Sequence, residues 1–168
     1  MALIVCALDR SIHDRKAFNC GEAALNSFLR TQAAKHQRQG FSRTFVLVDD
    51  CVPSQVLAFY SLSNCEIGRK SLTEKDLKGL PLYPVPCVML ARLAVDKSRH
   101  GEKLGQLMLV DAVRRTALVS QQTGVYAIVV DAKDEKAKSF YERFGFSTIA
   151  ENPLKLYLPL ATALKALQ

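Results

Sequence analysis

The stretch Val88–Leu109, VMLARLAVDKSRHGEKLGQLML, limits what this chain can fold into more than any other. Val88–Val95 is apolar except for Arg92, as a buried strand requires. Lys97, Arg99, His100 and Lys103 follow, with glycines at positions 101 and 105. Leu104, Leu107, Met108 and Ala112 then recur at the spacing of an amphipathic helix. A strand that feeds a basic, glycine-containing turn opening a helix is a recipe for holding phosphate. Unpaired backbone N–H groups and the positive end of the helix dipole converge on one spot. The arrangement belongs in an α/β sheet, whose ligands gather at such strand–helix junctions.

The rest of the chain reads in order around this unit. Leu3–Leu8 is a first strand. Asn19 with Glu22 has the spacing of a capping box, so a helix is expected from there to Gly40. Leu25, Phe28, Leu29, Gln32, Ala33 and His36 share its apolar face, and Arg30, Lys35 and Arg38 fall opposite. Ser42–Val48 and Val56–Asn64 form an antiparallel hairpin. Ser71 and Glu74 suggest a second capping box and a short helix, and Pro81, Pro84 and Pro86 force an extended approach to the central strand. The long helix should run from about Gly101 to Thr123 and close at Gly124. Val125–Val130 is an interior strand, and Asp134 caps a short helix carrying Tyr141 that ends at Gly145. Leu154, Leu156 and Leu158 alternate as a last strand, before a short tail that helical residues would suit. No repeat or linker interrupts this, so residues 1–168 are expected to form a single domain of mixed α/β architecture.

Charge and cysteines narrow the function classes. The net charge is +7. No acidic residue lies between Glu22 and Asp49, where Arg30, Lys35, Arg38 and Arg43 accumulate. Such a stripe attracts phosphate polymers, although its plainer reading is a solvated face. The five cysteines are odd in number and show neither a CxxC pair nor zinc-finger spacing, so no metal is expected. No apolar run reaches the roughly 20 residues of a membrane helix. A cytoplasmic protein without membrane contact is expected.

The segments ARLAVDKSRHGEKLGQLML and AKSFYERFGF resemble the acetyl-coenzyme A signature of the GNAT N-acetyltransferases. The family loop usually reads Gln/Arg-x-x-Gly-x-Gly/Ala, and here it is His100, Gly101, Glu102, Lys103, Leu104 and Gly105. His100 stands for the usual Gln or Arg, and Lys103 for the first glycine. A second resemblance covers nearly the whole chain. FNCGEAALNSFLRTQAAKHQRQGFSRTFVLVD, AFYSLS, YPVPCVMLARLAVD and LYLPL are similar to the GNAT toxins of type II toxin–antitoxin pairs.

These resemblances imply a GNAT-like fold, a mixed and mostly antiparallel sheet flanked by helices. They also imply an acetyl-CoA-dependent acyltransferase that acetylates the α-amine of aminoacyl-tRNA and so blocks translation. A small antitoxin of the ribbon–helix–helix type is the implied partner, and a homodimer the expected assembly. On the family pattern, backbone groups of Leu93, Ala94 and Val95 hold the acetyl and pantetheine arm. The loop His100–Gln106 takes the pyrophosphate, with Gly101, Glu102, Leu104 and Gly105 in its backbone and charge from Arg99 and Lys103. Lys103 suits a glycine position only if its φ is negative. Tyr141 is the expected proton donor to the leaving thiolate. Arg30, Lys35, Arg38, Arg43 and Arg92 are the candidates for transfer RNA contacts. Asp96 and Asp131, at strand ends, fit capping better than base catalysis. Two alternatives stay open: a GNAT enzyme acting on a small amine or a protein, and a GNAT-fold binding module without catalysis.

Overall fold

The computed structural model describes residues 2–168. The chain divides into two compact units, residues 1–63 with 91–112, and residues 64–90 with 113–168.

In the first unit β1 (Leu3–Ala7), β2 (Arg43–Asp49) and β3 (Ala58–Ile67) form an antiparallel meander, with Leu3 opposite Asp49 and Arg43 opposite Leu62. The expected capping box does not form. Asn19 Oδ1 instead accepts from Gly21 N and Asn26 Nδ2, and α1 (Ala23–Ser27) starts behind Glu22 with no side-chain cap. A π-helical turn, Phe28–Gln32, then separates α1 from α2 (Ala33–Gln39). Its extra residue rotates the following face. Phe28, Leu29 and Ala33 are buried, but Gln32, expected among them, is exposed. Gly40 ends α2 at φ +80°, the left-handed conformation that needs no Cβ. The core of this unit joins these helices to the meander through Leu8, Phe18, Phe28, Leu29, Val46, Val48 and Phe59.

The second unit starts in the far half of β3 and continues through α3 (Glu74–Leu77), β4 (Val85–Val95), α4 (Leu104–Ser120), β5 (Ala127–Asp131), α5 (Glu135–Arg143), β6 (Ser147–Ile149), β7 (Asn152–Pro159) and α6 (Leu160–Ala166). The C-terminal end of β4, from Ala91, and the first half of α4, to Ala112, belong to the first unit. Three expected boundaries shift. α3 is capped by Thr73, whose hydroxyl accepts from Asp76 N, rather than by Ser71. The strand after the prolines begins at Val85, so Pro86 lies inside it, exposed. α4 starts at Leu104 and stops at Ser120, short of Gly124. β6 is three residues long and had no alternation to announce it. The strand order is β1-β2-β3-β4-β5-β7-β6; β4 and β5 run parallel, while β5–β7 and β6–β7 are antiparallel. This is the mixed, mostly antiparallel sheet flanked by helices that the sequence implied.

Candidate active site

β4 pairs with β5 from Cys87 to Leu90 and no further. Its last residues, Ala91–Val95, therefore turn one edge of backbone N–H and C=O groups away from β3 without a strand partner among the described residues. Leu93 and Val95 are half-buried there, and Ala94 is buried. An unpaired strand edge in a partly covered position is a ready template for an extended ligand with its own amide groups.

The chain then leaves the strand through a 3₁₀ turn, Lys97–Arg99. Asp96 caps it, accepting from Ser98 N at 3.1 Å and Ser98 Oγ at 2.6 Å, and also from Asn19 N at 2.9 Å. Burial pushes the Asp96 carboxyl up, but these hydrogen bonds and His100 outweigh it and hold the group below the ordinary carboxylate range. A carboxylate so engaged is a brace, as its capping position suggested. His100 Nε2 lies 2.8 Å from Val95 O. Only a protonated Nε2 can donate to a carbonyl, so the ring ties the loop back to the strand end. Arg99 Nε donates to Glu102 at 2.8 Å, and the pair spans one turn of the loop.

Two residues of the loop have positive φ: Gly101 at +86° and Lys103 at +59°. The expectation that Lys103 would need a negative φ is wrong. The left-handed conformation explains why the family pattern has glycine here, and it costs a lysine on the order of 1–2 kcal/mol. Lys103 O then accepts the first helical bond, from Leu107 N. The N–H groups of Leu104, Gly105 and Gln106 are thereby left as the unbonded first turn of a 17-residue helix. Lys103 and Gln106 are exposed, Gly105 half-buried, and Leu104 anchors the turn in the core. The arrangement fits a pyrophosphate.

In the second unit, Asp134 Oδ1 accepts from Ala137 N at 2.8 Å and starts α5, as expected. Tyr141 is buried between Phe140 and Phe146, at ring-centroid distances of 5.2 and 5.5 Å. Its carbonyl accepts from Phe144 N and Phe146 N, and Gly145 makes the turn at φ +106°. Its hydroxyl makes no hydrogen bond among the described residues, and burial pushes the phenol well above its ordinary range.

Arg30, Lys35, Arg38 and Arg43 are all exposed and make no ion pair among the described residues. Arg92 lies apart from them in character. Its guanidinium sits 3.8 Å from the Phe28 ring centroid, which answers how an arginine survives inside an apolar strand. Desolvation lowers its pKa from the usual arginine range. Arg15, which no helical face rule could single out, reaches Arg30 O with Nη1 at 3.4 Å and adds a cation beside the stripe. The Asn19–Asp96 brace was equally invisible, since its partners are far apart in sequence.

An acetyltransferase (GNAT) domain family matches residues 41–148. The chain belongs to the GNAT acetyltransferases. A tRNA-acetylating toxin of Mycobacterium tuberculosis is 34% identical over 150 residues, 89% of this chain and 88% of that relative. The solved complex of AtaT with acetyl-methionyl-tRNAfMet covers 99% of this chain and 100% of its own at a TM-score of 0.92 and 29% identity. A tyrosine-to-phenylalanine mutant of the AtaT toxin, bound to the C-terminus of the antitoxin AtaR and acetyl-CoA, matches at a TM-score of 0.84 and 27% identity, over 99% of this chain and 98% of that one. Within the GNAT acetyltransferases, this chain falls with the toxins of toxin–antitoxin systems. Among its described residues no helix is long and apolar enough to cross a membrane.

Proposed function

We propose that this chain transfers the acetyl group of acetyl-CoA to the α-amine of the aminoacyl group on charged transfer RNA, acting as a toxin that blocks translation until a small antitoxin neutralises it. The observation that carries this is the full-length likeness to AtaT, whose solved complex holds an acetylated aminoacyl-tRNA.

Bound acetyl-CoA supplies an acyl group activated as a thioester. The unpaired backbone edge at Leu93, Ala94 and Val95 orients the pantetheine arm and donates to the acetyl oxygen as negative charge builds on it. The N–H groups of the loop from His100 to Gln106, with the helix dipole behind them, hold the pyrophosphate, and Lys103 adds positive charge, while the charge of Arg99 is met by Glu102. His100 keeps that loop in register with the strand through Val95 O. Tyr141 gives its proton to the departing sulfur. A phenol whose pKa is raised keeps its proton at neutral pH, so it is suited to act as an acid and not as a base.

The engagement of Asp96, the carboxylate at the end of the central strand, supports the choice of amine. Asp96 is spent on three donors and held in its weakly basic form. An α-amine, with a pKa of about 7.7–8.0 and lower beside an ester, has a sizeable neutral fraction unaided, whereas a lysine side chain near 10.4 does not. Arg30, Lys35, Arg38, Arg43 and Arg92 take the transfer RNA backbone. Gly105→Glu tests the reading, because it sets a carboxylate where the pyrophosphate belongs. Acetyl-CoA should raise the melting temperature of the wild type and leave that of the variant unmoved. Expression of the wild type should arrest growth, and the variant should not. Growth arrest by Gly105→Glu at equal expression contradicts the assignment of this loop.

A further inference from the structure

Of the eight phenylalanines, Phe41 alone is exposed, at 71%, while the others are buried or half-buried. Lone exposed apolar side chains are common and need no function. Three features set this one apart. The first is a fixed backbone. Gly40 N donates to Gln37 O at 3.2 Å and Phe41 N donates to His36 O at 2.8 Å, the paired bonds that close a helix around a left-handed glycine. Such a closure usually tucks the residue after the glycine against the helix. Here the ring meets His36 at a centroid distance of 6.1 Å, tilted by 43°, and still leaves most of its surface to solvent.

The second feature is the charge around it. Lys35 and Arg38 precede Phe41 on α2, and Arg43 follows at the start of β2. All three are exposed and make no ion pair among the described residues, and no acidic residue lies between Glu22 and Asp49. The buried centre of a protein–protein interface is depleted of charge. An aromatic ring set among unpaired cations suits a polyanion that also carries flat apolar faces. The third feature is a run of rings within the first unit. Arg92 lies over Phe28 at 3.8 Å, Phe28 meets His36 edge-on at 5.5 Å, and His36 meets Phe41. Arg92 belongs to the stretch of β4 assigned above to the acyl donor, so these contacts lead from that strand to the surface ring.

We propose that Phe41 is a stacking platform for an unpaired base in the 3′ end of transfer RNA, with Lys35, Arg38 and Arg43 on the flanking phosphates. This rests on charged transfer RNA being the acyl acceptor. The aminoacyl group sits on that single-stranded end, so its bases are the part of the RNA that must come to β4. Every base has a π face, and an aromatic side chain takes it without choosing the sequence. Bases inside a duplex are already stacked on one another and offer the ring nothing to cover. Phosphates alone would need only the cations.

Binding of a pool of charged transfer RNAs is measured for wild type, Phe41→Ala, Phe41→Leu and Phe41→Trp over a series of salt concentrations. Acetyl-CoA affinity and sedimenting mass are measured alongside. Phe41→Ala should weaken RNA binding roughly 5–100-fold, the loss of one base–aromatic stack, and Phe41→Leu should weaken it too. The salt slope should match that of wild type, because no phosphate contact is lost. Phe41→Trp should bind at least as well as wild type. The chain has no tryptophan of its own, so this indole is a lone reporter. Intact uncharged transfer RNA should quench its emission, and the same RNA trimmed of its unpaired 3′ nucleotides should quench it much less. Equal affinity of Phe41→Ala and wild type overturns the proposal and leaves the acyl acceptor standing, whereas a wild type that binds no transfer RNA sinks both. Quenching that survives trimming also overturns it. A loss of acetyl-CoA affinity in Phe41→Ala would give the ring to the adenine of the cofactor, and a fall in sedimenting mass would give it to a second copy of the chain; either result overturns the proposal.

Discussion

Lys103 holds a φ of +59° at the entry to α4, where the family pattern has glycine. A Cβ there crowds the following carbonyl, and only glycine escapes this without cost. Lys103→Gly should therefore raise the free energy of unfolding by about 0.5–1 kcal/mol, once the greater freedom of glycine in the unfolded chain is subtracted. Lys103→Ala removes the same charge but keeps the Cβ and should gain nothing. Denaturant unfolding of both variants separates strain from charge, and an equal gain in the two would show that charge was the cause. His13 offers a second residue-level reading. Its Nδ1 accepts from Asp9 N at 3.0 Å, so the neutral ring carries its proton on Nε2, towards Cys6. Burial lowers its pKa from 6.5, against the pull of the Asp9 carboxylate. The unfolded chain thus binds a proton that the folded chain refuses. Stability should fall as pH drops through about 6.5 and stop falling below the depressed folded value. His13→Gln should flatten this limb of a melting-temperature profile between about pH 7 and pH 5. The Asp96 contribution, from a carboxyl lowered in the fold, is lost only at more acid pH, as pH falls below its unfolded value. An unchanged slope in His13→Gln would leave the ring without a titrating role.

At the scale of elements, the stretch from α1 through the π-helical turn to α2 divides its work between a buried face and the exposed cations Arg30, Lys35 and Arg38. Those cations have no ion-pair partner among the described residues, so reversing them disturbs no internal contact of that kind. The triple change Arg30→Glu, Lys35→Glu and Arg38→Glu should weaken binding of charged transfer RNA and flatten its dependence on salt, since each lost phosphate contact lowers the slope by about one. Acetyl-CoA binding should be unaffected. A salt slope equal to that of the wild type would return the stripe to plain solvation. The elements also show what local pattern can reveal. The strand–turn–helix unit, the Asp134 cap and the stops at Gly40 and Gly145 rest on neighbours within a few residues, and all were legible. The Ser71 capping box was not the one used, because Thr73 N donates to Tyr157 Oη, and that hydroxyl donates to Asp76 Oδ2 at 2.6 Å. A partner 84 residues away chose between two similar caps. The Asp96–Asn19 brace was hidden for the same reason, since its partners lie 77 residues apart.

For the molecule as a whole, the net charge of +7 and the free cations suit a substrate that is itself a polyanion. A small uncharged amine would have no use for them, and a polycationic one would be repelled. In the proposed reaction the acyl acceptor is the α-amine of an aminoacyl-tRNA, and the Tyr141 hydroxyl completes the transfer. The most direct measurement incubates the purified protein with acetyl-CoA and a pool of charged transfer RNAs, digests the RNA to aminoacyl-adenosines, and weighs them by mass spectrometry. Wild type should yield at least one N-acetylated aminoacyl-adenosine. Tyr141→Phe, which keeps the ring and loses only the hydroxyl, should yield it roughly 10²–10⁴-fold more slowly while its affinity for acetyl-CoA stays nearly unchanged. Aminoacyl-adenosines recovered without acetylation from every charged transfer RNA, or full transfer by Tyr141→Phe, would contradict the account.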